Sequence, residues 1–214
     1  MLTATYYDGY DFNHDGAPDV AFDAQYAGQF PAGQAPAADG RVTGLVTRTR
    51  TRVLGVADDD PTQAAWLTAT TFYDEKARPM QVVATNARKG GADVVTSQVD
   101  FVGQVLKSYA VHTGYAVPGK PGTNHEPLAV AEWRAYDHAG RLVATRQQLP
   151  GEARAALLDS LRYNEVGQLV QKQLAPGTGL AQAVDYTYNI RGWLTGLNED
   201  LVTGITPVAA SKDL

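Results

Sequence analysis

The 214-residue chain has no cysteine, which excludes disulfide frameworks and thiolate metal sites and leaves its compartment open. No apolar run approaches the roughly 18 residues that a membrane-spanning helix requires, so no membrane span is expected. Positive charge is not in surplus either. With 18 Lys+Arg against 23 Asp+Glu the net charge is -5. Phosphate recognition needs the opposite balance, so no nucleic-acid partner is expected. Phe and Met are scarce, 5 and 2, beside 11 Tyr and 3 Trp. That balance suits half-wet strand surfaces, where a ring packs flat and its polar end meets water. Hydrophobic residues still reach 44%, too many for a disordered chain. Residues Met1 to Asp8 offer neither a basic leader nor an apolar signal core. They read as a strand, as if the chain begins inside a longer reading frame.

What is present is a repeat. An aromatic or β-branched residue is followed by Asp or Asn, two variable residues, a small residue, then a polar and usually an apolar one. The copies are Tyr73-Asp74-Glu75-Lys76-Ala77-Arg78-Pro79, Val99-Asp100-Phe101-Val102-Gly103-Gln104-Val105 and Tyr136-Asp137-His138-Ala139-Gly140-Arg141-Leu142. Tyr163-Asn164-Glu165-Val166-Gly167-Gln168-Leu169 and Tyr188-Asn189-Ile190-Arg191-Gly192-Trp193-Leu194 complete the set. Successive Asp/Asn positions lie 26, 37, 27 and 25 residues apart, the signature of one supersecondary unit with an insertion in one loop.

Each unit reads as a β-hairpin. The Asp or Asn side chain bonds backbone N–H groups further on and starts a turn. Three residues later, Gly takes the positive φ that a bulged hairpin turn demands, and Ala77 weakens the first copy. Flanking residues alternate as strands do, with Val184, Tyr186 and Tyr188 on one side and Asp185 and Thr187 on the other. Ala116 to Pro127 is a Gly- and Pro-rich loop that accounts for the long gap. Gln29 to Gly40 reads as a surface loop and Arg41 to Val56 as a long strand or hairpin. Glu152 to Leu158 suggests a short helical turn that buries Leu157 and Leu158. The expected fold is all-β, with tandem hairpins forming a twisted, curved antiparallel sheet. Its parts are a β-rich segment over residues 1–60, the repeat sheet over 61–198 and a tail over 199–214.

The Tyr-Asp-x-x-Gly-Arg-Leu and Tyr-Asn-x-x-Gly-x-Leu units resemble the YD repeats of RHS-type proteins. The segment Tyr186-Thr187-Tyr188-Asn189-Ile190-Arg191-Gly192-Trp193-Leu194-Thr195-Gly196-Leu197-Asn198 is the most specific match, similar to a stretch common in very large RHS proteins of Bacteroidetes-type bacteria. The resemblance covers roughly Leu45 to Asn198, with Tyr6-Tyr7-Asp8 as a preceding copy. It implies a sheet strip that spirals into a hollow shell, part of a secreted or cell-surface protein of polymorphic-toxin or adhesive type. The implied partner is the rest of the same large RHS polypeptide, and the implied role is structural and non-catalytic. The alternative is a carbohydrate- or calcium-binding adhesion module, with surface glycans as partners.

One segment resembles a site. In Asp11-Phe12-Asn13-His14-Asp15-Gly16-Ala17-Pro18-Asp19, oxygen ligands at alternate positions precede a Gly and a further Asp, as a calcium loop requires. Asp11, Asn13, Asp15 and Asp19 would supply side chains and Ala17 a carbonyl. The distant bidentate Glu of an EF-hand is missing, and an Asp/Asn/Gly turn is stable without metal. No other cofactor is expected. His14, His112, His125 and His138 are scattered, without zinc-site spacing. Ser97, Ser108, Ser160 and Ser211 sit in no Gly-x-Ser-x-Gly context, so no enzyme is expected. Asp74, Asp100 and Asp137 recur at one turn position, which favours a structural job over paired-acid catalysis. Trp66, Trp133 and Trp193 could form an aromatic stripe for sugars or fill a packed face.

Overall fold

The computed structural model describes residues 2–31, 35–60, 63–87, 90–114, 127–175 and 182–198. Nearly all of the Ala116–Pro127 loop, His125 and Ser211, and the 199–214 tail lie outside the described residues. Among the described residues the fold is all-β. The strands are β1 (Thr3–Tyr7), β2 (Val46–Arg52), β3 (Trp66–Tyr73), β4 (Pro79–Thr85), β5 (Ala92–Val99) and β6 (Val105–Thr113). They continue with β7 (Leu128–Tyr136), β8 (Leu142–Gln148), β9 (Ala156–Tyr163), β10 (Leu169–Leu174), β11 (Gln182–Tyr188) and β12 (Leu194–Leu197). All belong to one sheet in sequential order, each hydrogen-bonded to its chain neighbour. By packing, Met1–Trp133 with Gln148–Ala153 form one compact unit, and Arg134–Gln147 with Arg154–Leu214 form another. Residues before and after position 60 thus share the first unit.

The repeated turn chemistry explains this order. In all five copies the Asp or Asn backbone N–H donates to the carbonyl four residues on, at 2.9–3.0 Å, as from Asp74 to Arg78 and from Asn189 to Trp193. The side-chain oxygen of the same residue accepts the returning N–H four residues on: Arg78 on Asp74, Gln104 on Asp100, Arg141 on Asp137, Gln168 on Asn164 and Trp193 on Asn189. Gly103, Gly140, Gly167 and Gly192 take φ between 77° and 93°, and Ala77 takes 59° at the same place. The turn chemistry therefore holds Ala77 in a backbone region that strains an L side chain.

Space restricts Gly192 as well, while a Cβ at Gly167 would make an ordinary contact. A Cβ at Gly167 would lie 3.5 Å from Nη1 of Arg141, and one at Gly192 would lie 3.1 Å from Nε2 of Gln168. The polar residue that closes one turn thus reaches over the glycine of the next. Tyrosines add a second tie. Tyr163 donates its hydroxyl to the Leu142 carbonyl at 2.9 Å, and Tyr188 does the same to Leu169 at 2.9 Å. Both acceptors are the first residue of the preceding repeat's return strand. Each such bond contributes about 1 kcal/mol and fixes how one hairpin sits against its predecessor.

Tyr73 makes the equivalent bond to Val46, at 2.6 Å, which identifies a sixth turn. Asp8 donates to the Leu45 carbonyl, and Gly44, with φ 79°, donates to the Asp8 carboxylate. Tyr7 pairs with Val46 after a register shift, as Tyr73 pairs with Pro79 and Tyr188 with Leu194. Asp8 and Gly44 therefore occupy the Asp and Gly positions of an ordinary repeat, yet they lie 36 residues apart in the chain. Residues 9–43 are an insertion inside the first hairpin turn.

The predicted helical turn over Glu152–Leu158 is not there. Gly151, at φ 82°, and the Glu152 N–H bond to the Leu149 carbonyl make a tight turn, and β9 starts at Ala156. Leu157 pairs with Arg146 across the hairpin, and Leu158 is exposed. Pairing of Ala156 and Leu157 with β8 holds this stretch extended, so the two adjacent leucines point to opposite faces. Turn strain gives a test. Ala77→Gly should stabilise the chain by up to about 1 kcal/mol, and Gly167→Ala should cost about 1–2 kcal/mol. Urea unfolding of both variants measures this, and equal midpoints would contradict it.

Candidate functional site

The inserted segment 9–43 covers one face of the first unit and builds its core. Phe72 on β3 is 1% exposed, with the Tyr10 ring stacked at 4.6 Å and Phe22 edge-on at 5.9 Å. The Tyr10 hydroxyl donates to the Thr71 carbonyl at 3.1 Å, and burial, followed by nearby Tyr73, pushes its pKa up to about 12. Gln81, buried on β4, clasps the insertion from beneath. Its Oε1 accepts from Asp23 N–H at 2.8 Å, while Nε2 donates to the Asp23 carbonyl at 3.0 Å and to Thr96 Oγ1 at 2.8 Å. Lys107 donates to the Gln29 carbonyl, with its ammonium 5.3 Å from the Phe30 ring and 4.7 Å from Trp133. Burial holds that ammonium below the usual lysine range. The predicted surface loop Gln29–Gly40 thus contributes buried Phe30 and Pro36 to the packing.

The Asp11–Asp19 loop sits at the start of the insertion and is exposed. Asp11 accepts from the N–H groups of Asp15 and Gly16, and Asp19 accepts from those of Phe12 and Asn13. The Asn13 amide nitrogen bridges the Asp15 carboxylate at 3.1 Å and the Asp19 carboxylate at 2.8 Å. Ala17 N–H donates to Asp15 at 2.9 Å. The four candidate ligands therefore share one small loop, and each oxygen set already accepts hydrogen bonds. Among the described residues no three His, Asp or Glu side chains come together as a metal cage.

Other candidates disperse. His14 and His138 are exposed at turns. His112 bonds Asp93 across β5 and β6. Ser97 is four strand residues from Asp93, about 13 Å along β5, too far to complete a triad. All three tryptophans have a cation over the ring: Arg50 lies 4.7 Å from Trp66, Lys107 4.7 Å from Trp133 and Arg191 5.5 Å from Trp193. Trp193 is exposed beside Arg191. An open cleft of about 650 Å³ lies beside residues 35–39 and the turns at Asp74 and Asp100, with Met80, Val99 and Leu106 along it. Of its four acids, Asp39 and Asp74 pair with Arg41 and Arg78 within the chain, and Glu75 and Asp100 also line it. Sequence reading missed Gln81 and Lys107, because nothing local marks a strand residue as the anchor of a distant insertion.

The turn carboxyls of Asp74 and Asp137 are held below their ordinary value of 3.8. For Asp74, burial would raise it, but hydrogen bonds from the Arg78 side chain and backbone and from Lys76 N–H outweigh that effect. For Asp137, the Arg141 N–H bond is the main cause of the lowering. Asp39, bonded by the Arg41 side chain, is lowered to about 2.

No family profile and no curated protein matches the chain. Solved structures do resemble it in part. They include a crystal structure of TcdB2-TccC3-Cdc42 (16% identity, TM-score 0.33) and one of TcdB2-TccC3-TEV (13%, 0.32). A Photorhabdus luminescens Tc holotoxin pore with a TccC3 mutation is similar at 18% and 0.33. Each match covers 71% of this chain and 8% of the other. At these scores the likeness is partial, and the architecture rests on the strand pairing itself.

The depressed carboxyls give a pH test. A carboxyl lowered on folding adds stability above its unfolded value, and that gain is lost as pH falls through the folded value. Thermal midpoints should therefore drop as pH falls from about 4 towards 2, and Asp137→Asn should flatten part of that slope. A wild-type slope in the variant would contradict the assignment.

Proposed function

We propose that the chain is a non-catalytic structural segment of the β-shell of a larger RHS/YD-repeat polypeptide, of the Bacteroidetes-type subgroup and located outside the cell or on its surface. The observation that carries this reading is the tyrosine tie between hairpins. Because Tyr73, Tyr163 and Tyr188 each bond the return strand of the preceding hairpin, repeats add in one register along the strip. Such a strip bears load and encloses space without needing a reactive centre. No helix among the described residues is long and apolar enough to cross a membrane, which leaves β-barrel insertion unaddressed.

In this reading the insertion is a cis cover for one sheet face, and the Asp11–Asp19 loop is a clasp closed by its own hydrogen bonds. Calcium at Asp11, Asn13, Asp15 and Asp19 is the alternative. Melting the full chain with millimolar calcium and with chelator decides between them. Equal midpoints are expected. A calcium-dependent rise that Asp15→Ala abolishes would establish a metal site instead.

Among the described residues strands β1 and β12 each have a single neighbour, so each leaves a row of backbone groups without a strand partner there. Purified chain should self-associate as concentration rises, read by light scattering. A monodisperse monomer at high concentration would contradict the shell-segment reading.

A further inference from the structure

Strand β2 reads Val46-Thr47-Arg48-Thr49-Arg50-Thr51-Arg52, so an interior strand carries no apolar side chain after its first residue. Alternation puts Arg48, Arg50 and Arg52 on one face, each about 7 Å from the next along the strand. Aromatic rings support the guanidinium groups, with Arg48 lying 4.4 Å from the Phe12 ring centre and Arg50 4.7 Å from that of Trp66. Stem packing of this kind explains why the strand tolerates arginine, but it supplies no counter-charge. Arg52 has its own: it bonds the Asp58 carboxylate and the Val56 carbonyl. Arg41, Arg78 and Arg141 are likewise paired with Asp39, Asp74 and Asp137. Arg50 pairs with no carboxylate among the described residues, and Nε of both Arg48 and Arg50 is buried without an acceptor. Burial, and then the charge of Arg50, hold Arg48 below the usual arginine range against the pull of Asp19.

We propose that Arg48 and Arg50 form a docking site for an extended acidic peptide whose carboxylates fall on alternate residues. An extended chain presents side chains on one face every ~7 Å, the same step as the arginine row. Guanidinium forks can take carboxylates in paired hydrogen bonds, and at the end of the row Arg52 already binds Asp58 through one of its nitrogens. Two facing carboxylates would cancel the repulsion between the neighbouring cations and give Arg50 the partner it lacks.

The test titrates the full chain at low salt with a Thr-Glu-Thr-Glu-Thr peptide, followed by NMR of the arginine side-chain N–H groups. Saturable shifts at Arg48 and Arg50 are expected, with affinity falling at least tenfold in Arg50→Gln and less in Arg50→Lys. The control Arg146→Gln, on β8, should bind as wild type. Hydrogen exchange reports whether each variant keeps the sheet. Equal binding of a Thr-Glu-Glu-Thr-Thr peptide or of a sulfated oligosaccharide would overturn the proposal. So would unchanged affinity in both Arg50 variants.

Discussion

The fold depends on one local interaction: a side-chain oxygen at the start of each turn holds the backbone N–H four residues later. The bond recurs at 2.8–3.0 Å in five turns, whether Asp or Asn provides the oxygen. It closes a loop that would otherwise leave a returning N–H without a partner. Its geometry requires a left-handed residue three positions on, which glycine supplies in four of the five turns. The strands follow from the turns. Each closed turn sets the register of its hairpin, and the tyrosine and the turn-closing polar residue then set the register between hairpins.

That hierarchy explains which parts of the fold were legible in the sequence. The turns at Asp74, Asp100, Asp137, Asn164 and Asn189 were readable because all their chemistry lies within five consecutive residues. Even Ala77, an unfavourable residue at φ 59°, did not hide its turn. Tyr7-Asp8 was visible only as half of a copy, since its partners Gly44 and Leu45 are displaced by the insertion. The structure joins the halves through the same backbone bond, Asp8 N–H to the Leu45 carbonyl, while the Asp8 carboxylate accepts from Gly44 N–H instead of from the residue after it. Glu152–Leu158 misled for the opposite reason: two adjacent leucines suggest a helical turn when read alone, but pairing with β8 makes them strand residues.

Burial was less legible than topology. Strand alternation shows which residues share a face and cannot show which face is covered. In the first unit the cover comes from residues 9–43, and its contacts are specific: Tyr10 on Phe72, Asp23 on Gln81, Gln29 on Lys107. Gln81 looks like any polar strand residue in sequence, yet it is almost wholly buried and makes three bonds. The Asp11–Asp19 residues do share one loop, as their spacing suggests, but spacing alone could not tell whether hydrogen bonds or a cation closes it. The tryptophans, which alternation alone could place in a stripe or on a packed face, each carry a cation over the ring, and Trp193 is exposed.

The central claim is that six chain reversals, including the one split across residues 8 and 44, close through the same backbone hydrogen bond. Native-state hydrogen exchange on the full chain tests it at the backbone amides of Asp8, Asp74, Asp100, Asp137, Asn164 and Asn189. All six donate across their turns. Protection at all six, with the Asp8 amide slowed like the others, is the predicted result. Rapid exchange at Asp8 alongside protection of the remaining five would show that residues 9–43 are not seated in a repeat turn, and rapid exchange at all six would contradict the shared turn.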